Sequence, residues 1–152
     1  MLGKKFKNPR EHRKMRLRHT LKGTTARPRM SVFRSSKHIY VQIIDDDTGT
    51  TLAAASTIEP AMRAFEGNKI EQATQVGKLA AERAVANGIT KLVFDRNGFR
   101  YTGRVAAAST AAHAMGLLGK IGYSADGAQS DETGTDDDES ETADTAELAI
   151  QE

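Results

Sequence analysis

The chain contains no cysteine. That excludes disulfides and thiolate metal ligands and fits a reducing compartment. No apolar run approaches the roughly 20 residues needed to cross a bilayer, so no membrane partner is expected. The N-terminus is basic but lacks a following apolar segment, so it is not expected to be a secretory signal. The four histidines, His12, His19, His38 and His113, are scattered without metal-ligand spacing. Gly116-Leu117-Leu118-Gly119-Lys120 has neither the full spacing of a phosphate-binding loop nor a strand before it. No cofactor and no metal are therefore expected. An apolar fraction of 38% is low for a compact domain and predicts that part of the length is unpacked.

Charge is abundant and segregated. Residues 1–40 carry thirteen Lys/Arg against one acid, Glu11. Residues 41–123 are nearly balanced, and residues 124–152 hold eleven acids and no Lys or Arg. The net charge of +2 conceals this arrangement. Three regions are expected: a basic arm over 1–26, a globular domain over 27–122 and a disordered acidic tail over 123–152. Such an arm points to a polyanionic partner.

Asn8-Pro9-Arg10-Glu11 predicts a helix start, with Asn8 as cap, Pro9 in the first turn and Glu11 three residues after the cap. Gly23 is the expected stop. Cations wrap most of this helix, and only Met15, Leu17 and Leu21 offer an apolar edge. Self-repulsion predicts that it orders only when phosphates neutralise it.

Met30 and Val32 alternate with Ser31 and Phe33, and Ile39, Val41 and Ile43 alternate with Tyr40, Gln42 and Ile44. This period of two, broken by Ser35-Ser36-Lys37, predicts a hairpin. Asp45-Asp46-Asp47-Thr48-Gly49 predicts a turn, and residues 50–57 a third strand. One helical turn is expected within 58–67. Asn68 and Glu71 form a capping pair, and Ile70, Ala73, Gly77, Ala80, Ala81 and Ala84 make an inner stripe at helical spacing. A strand at 91–94 and a helix over roughly 104–117, with Val105, Ala108, Ala112 and Met115 inward, complete an α/β pattern. Strand, helix and strand in succession imply a parallel pair.

The loop Asp95-Arg96-Asn97-Gly98-Phe99-Arg100-Tyr101-Thr102-Gly103-Arg104 follows the last strand, where binding loops gather. Arginine pairs with phosphate through two hydrogen bonds, and aromatic rings can stack on unpaired bases. Contact is expected for the arginines, and packing beneath the loop for Phe99 and Tyr101. A nuclease is the enzymatic rival, but its two-metal chemistry needs converging carboxylates. The first strand offers Ser31, Phe33 and Arg34 instead, and Asp45 to Asp47 read as turn-formers. A general RNA chaperone or DNA-binding protein is the second rival, and charge alone does not separate it.

The segments Arg27 to Gln42, Gly77-Lys78, Ala81-Glu82-Arg83-Ala84, Val93-Phe94-Asp95-Arg96 and Tyr101-Thr102-Gly103-Arg104-Val105 closely resemble the bacterial ribosomal protein L-eighteen family, over residues 4 to about 118. The resemblance implies a mixed four-stranded sheet with packed helices, related to the ribonuclease H architecture, in strand order 3-2-1-4. It implies no enzyme but a cytoplasmic large-subunit protein that binds 5S rRNA and helps attach it to 23S rRNA in the central protuberance, beside neighbouring ribosomal proteins. The implied RNA contacts are Lys4, Lys5, Lys7, Arg10, Arg13, Lys14, Arg16, Arg18, Lys22 and Arg27 in and after the arm, Arg29, Arg34, Lys37 and His38 in the hairpin, and Arg96, Arg100, Tyr101 and Arg104 in the loop. Asn97-Gly98-Phe99 replaces the family's frequent Gly-Gly-Tyr, and Thr102 its usual histidine. The acidic tail is an addition that the resemblance does not explain. A solubilising appendage is the simpler reading, and a screen for the arm the alternative.

Overall fold

A computed structural model describes residues 8–119. The acidic tail and Lys4, Lys5 and Lys7 lie outside these residues. The elements run α1 (Pro9–Thr20), β1 (Arg29–Arg34), β2 (Ile39–Asp45), β3 (Thr50–Ser56), α2 (Pro60–Arg63), α3 (Lys69–Ala86), β4 (Val93–Asp95) and α4 (Arg104–Ala114).

The strands form one mixed sheet in the order β3-β2-β1-β4. β1 pairs antiparallel with β2, placing Val32 opposite Val41 and Phe33 opposite Tyr40. β4 lies parallel to β1, with Ser31 opposite Asp95. The expected parallel pair is thus present. The last strand is shorter and later than the expected 91–94, because Leu92 instead bridges Leu118, its amide donating to the Leu117 carbonyl at 2.7 Å.

One face of the sheet carries the core. Met30, Val32, Ile39, Val41 and Ile43 are almost wholly buried there. Against them lie Ala73, Val76, Ala80, Ala81 and Ala84 of α3 and Val105, Ala108 and Ala112 of α4. Small residues let these layers approach closely. A Cβ on Gly77 would stand 2.4 Å from the Ala108 carbonyl oxygen, so only glycine fits the crossing of α3 and α4. The expected stripe on α3 needs one correction. Ile70 is 52% exposed, because it sits in the first turn, beyond the sheet, and Val76 takes an inner position instead. α4 ends three residues earlier than expected, and Met115 is half-buried at its end.

Both predicted helix starts are built from side-chain caps. Asn8 accepts from the Glu11 amide at 2.9 Å. Asn68 accepts from the Ile70 and Glu71 amides while Glu71 accepts from the Asn68 amide, closing a capping box. The edge strand β3 is guarded from α3. Asn87 donates to the Leu52 carbonyl at 2.8 Å, and Arg83 donates to the Ala54 carbonyl while pairing with Glu59.

Candidate nucleic-acid interface

An internal ion cluster sets the frame for the surface. Arg29, first residue of β1, donates from Nε and Nη2 to the two Asp46 oxygens and from Nη1 to Asp95 Oδ2, each at 2.9 Å. Its side chain is 9% exposed and Asp95 is fully buried. The hydrogen bonds from Arg29 hold the Asp46 carboxyl down at about 2. The same pairing raises the Arg29 guanidinium above its ordinary value. Asp46 also accepts from the Gly23 amide and Asp45 from the Thr25 hydroxyl, so the cluster ties down the linker that follows α1. Asp46 and Asp95 therefore converge on an arginine rather than on an open site. The hydrogen-bonding groups of Arg29, expected to face outward, thus face carboxylates inside the protein.

Beyond β4 the chain turns sharply. Asn97 (φ 52°) and Gly98 (φ 75°) both adopt left-handed backbone. The Asn97 amide is held by Asp95 at 2.8 Å, and the Phe99 amide donates to the Arg96 carbonyl. The Arg96 guanidinium donates to the Phe99 carbonyl, stiffening the same turn.

α1 rests on this turn. Arg10 Nε donates to the Asn97 carbonyl at 3.3 Å and Arg13 Nε to the Gly98 carbonyl at 3.0 Å. The Arg10 guanidinium also lies 3.9 Å from the centroid of Phe99, a cation–π contact. Arg18 comes within 3.7 Å of Asp95, and Lys22 pairs with Asp47 at 2.9 Å. The Lys14 ammonium is pushed below its ordinary pKa by burial and then by the nearby Arg18 and Arg10. The arm is helical over Pro9–Thr20 and docked on this turn. The Asn97 and Gly98 carbonyls and the Asp95 and Asp47 carboxylates offset the repulsion that the arm would suffer alone. It stops at Thr20 rather than Gly23.

The arm and the loop consequently form one cationic surface. Arg10 and Arg13 touch the loop, while Arg16 and Arg18 lie exposed on α1. Arg34, at the end of β1, has its guanidinium 5.5 Å from the Phe99 ring. Arg104, the first residue of α4, is half-buried, and burial followed by the nearness of Arg34 lowers its pKa. Its Nη1 is buried without a hydrogen-bond partner. Arg100 is exposed on the loop, whereas Tyr101 is half-buried and packs edge-on against Phe94 at 5.9 Å.

Other expected residues stand apart. Arg27 donates to the Leu92 carbonyl, at the opposite end of β1 from Arg34. Lys37 and His38 line a separate cleft of about 660 Å³ with Arg63, Phe65 and Lys69, where His38 Nδ1 lies 3.0 Å from the Thr57 hydroxyl. Two residues that shape this region were not among the expected contacts. Asn97 shapes the turn, and Phe33 projects from the face of β1 opposite the core. The alternation Met30, Val32 inward and Phe33 outward was the available signal for Phe33.

A mixed α/β domain whose clustered carboxylates are internally paired, and whose arm and loop share a cationic surface, is built as a scaffold for a polyanion. Among the described residues, no group of three or more His, Asp or Glu is placed to hold a metal ion. Residues 4–118 match the family described as "Ribosomal L18 of archaea, bacteria, mitoch. and chloroplast". The large ribosomal subunit protein uL18 of an Exiguobacterium species is 53% identical over 118 residues, covering 77% of this chain and 98% of that protein. Its namesake from Desulfatibacillum aliphaticivorans is 56% identical over 109 residues, covering 70% and 89%. The Lactococcus lactis subsp. cremoris protein of the same name is 52% identical over 118 residues, covering 77% and 98%. The chain belongs to the ribosomal protein L18 family, a family of structural ribosomal proteins and not of enzymes.

Proposed function

We propose that this protein binds 5S rRNA and helps attach it to 23S rRNA in the central protuberance of the large subunit, on cytoplasmic ribosomes and beside neighbouring ribosomal proteins. The observation that carries the reading is the docking of α1 on the loop at 96–99, through Arg10 and Arg13. It turns an arm and a loop into a single stiff surface bearing Arg16, Arg18, Arg34, Arg100 and Arg104. A folded RNA presents its phosphates in a set geometry, and a rigid array of guanidinium groups can match one such geometry better than another. Shape selects the RNA, and charge supplies most of the affinity.

The test is a titration of the full chain with a 5S transcript and with an unrelated folded RNA of equal length. Engagement of about six to eight phosphates predicts that the logarithm of affinity falls with the logarithm of salt at a slope of about −4 to −7. Preference for the 5S transcript with such a slope supports the reading. Equal affinity for both RNAs would favour a general RNA-binding protein instead.

A further inference from the structure

We propose that Phe33 is a stacking platform for one unpaired base of the bound RNA. This rests on the RNA-binding reading and adds a base-contacting residue to it. β1 alternates, so Met30 and Val32 enter the core while Phe33 emerges on the other face. Phe33 is 43% exposed, while the other phenylalanines and tyrosines among the described residues are half-buried or buried. Its ring is nevertheless held by three neighbours. Tyr40, its register partner on β2, lies 6.0 Å away between ring centroids, and Phe99 meets it edge-on at 6.0 Å. The Arg10 guanidinium, anchored through Nε on the Asn97 carbonyl, lies over the ring at 5.4 Å from its centroid. An exposed ring fixed by its neighbours loses little side-chain freedom when something stacks on it.

The surroundings indicate what that something is. Arg10 contacts both Phe33 and Phe99, Arg34 contacts Phe99, and Arg104 lies near enough to Arg34 to feel its charge. The cations over the Phe33 and Phe99 rings are the guanidinium groups of Arg10 and Arg34. An unpaired nucleotide offers a flat π-face to the ring and a phosphate to the arginines in one unit. An apolar side chain of a neighbouring protein would cover the ring but leave the arginines unmatched.

The test compares the full chain with Phe33→Leu and Phe33→Tyr, measuring affinity for a 5S transcript across a salt series. Phe33→Leu should weaken binding about tenfold to a hundredfold, as loss of one stacked base does. The salt slope should stay the same, because no phosphate contact is lost. Phe33→Tyr, which keeps the ring, should stay within about threefold of the parent. Ultraviolet crosslinking of the unaltered complex should attach a nucleotide to the tryptic peptide Met30–Arg34, a readout independent of how the variants fold. Full affinity in Phe33→Leu, or that peptide recovered without an adduct, would overturn the proposal. So would a loss accompanied by a shallower salt slope, which would make the ring a support for Arg10. Unchanged RNA binding with poorer incorporation into the subunit would assign Phe33 to a protein neighbour. Absence of 5S affinity in the parent chain would overturn the RNA-binding reading itself.

Discussion

Replacing Arg29 with alanine should be among the costliest single changes in this domain, yet it should leave RNA affinity nearly intact. The guanidinium makes three hydrogen bonds of 2.9 Å, two to Asp46 and one to Asp95. Asp95 has no exposed side-chain surface and Asp46 has 25%. Arg29→Ala leaves one carboxylate buried beside a cavity and a second without its main partner. Breaking a buried pair from one side costs about 3–5 kcal/mol. A small domain has only about 5–15 kcal/mol of stability in total. With a urea dependence of about 2 kcal/mol per molar, the unfolding midpoint should drop by about 2 M. Arg29→Lys should fall between, because one ammonium cannot span both carboxylates as the planar fork does. Adding Asp95→Asn to Arg29→Ala should recover part of the loss, because the stranded charge is gone. Affinity of the folded variant for a 5S transcript should stay within about threefold of the parent, since the missing group faces inward. A cost below about 1 kcal/mol, or a tenfold loss of affinity with stability preserved, would refute the placement of Arg29 as an internal strut.

The remaining predictions follow the same geometry. The Asp46 carboxyl, ordinarily near 3.8, is held at about 2, so its stabilisation is fully present above about pH 4. That contribution, about 1–2 kcal/mol, should disappear as pH falls from there through 2, and Asp46→Asn should flatten the acid limb of a stability–pH curve. At Gly98, a Cβ would lie 2.4 Å from the Arg10 carbonyl oxygen, and φ is +75°. Gly98→Ala should therefore lift α1 from the loop, seen as faster amide exchange in residues 12–20 with little change in α3. Gly77→Ala should destabilise by about 1–3 kcal/mol in urea unfolding, because crowding against Ala108 outweighs the gain of about 1 kcal/mol in helix propensity.

Local features were legible in the sequence because their causes are local. The hairpin follows from alternation over a few residues, and the starts of α1 and α3 follow from Asn8 and from the Asn68–Glu71 pair. The parallel pairing of β4 followed from its place after a crossover helix, but the full strand order 3-2-1-4 came only with the family resemblance. The misreadings concern residues whose partners lie far away in the chain. An arginine opening a strand looks like surface charge until register brings in Asp46 from 17 residues away and Asp95 from 66. The arm looked self-repelling because its acceptors, the carbonyls of Asn97 and Gly98, lie more than 80 residues downstream. Ile70 matched the helical period yet stays exposed, since periodicity does not say where the sheet beneath a helix ends. Phe33 was readable as outward-facing, but its enclosure by Tyr40, Phe99 and Arg10 requires three elements to meet.

The absence of cysteine makes a direct test of the central claim simple, since one introduced thiol is unique in the chain. An iron chelate can be tethered at Met15→Cys, on the exposed side of α1, or at Lys78→Cys, on the helical layer across the sheet. Mapping hydroxyl-radical cleavage of the 5S rRNA in each complex compares the two faces. Strong, localised strand cleavage from position 15 and none from position 78 is the expected result. Cleavage from position 78 alone, or equal and diffuse cleavage from both, would contradict the assignment of the RNA to the α1 face.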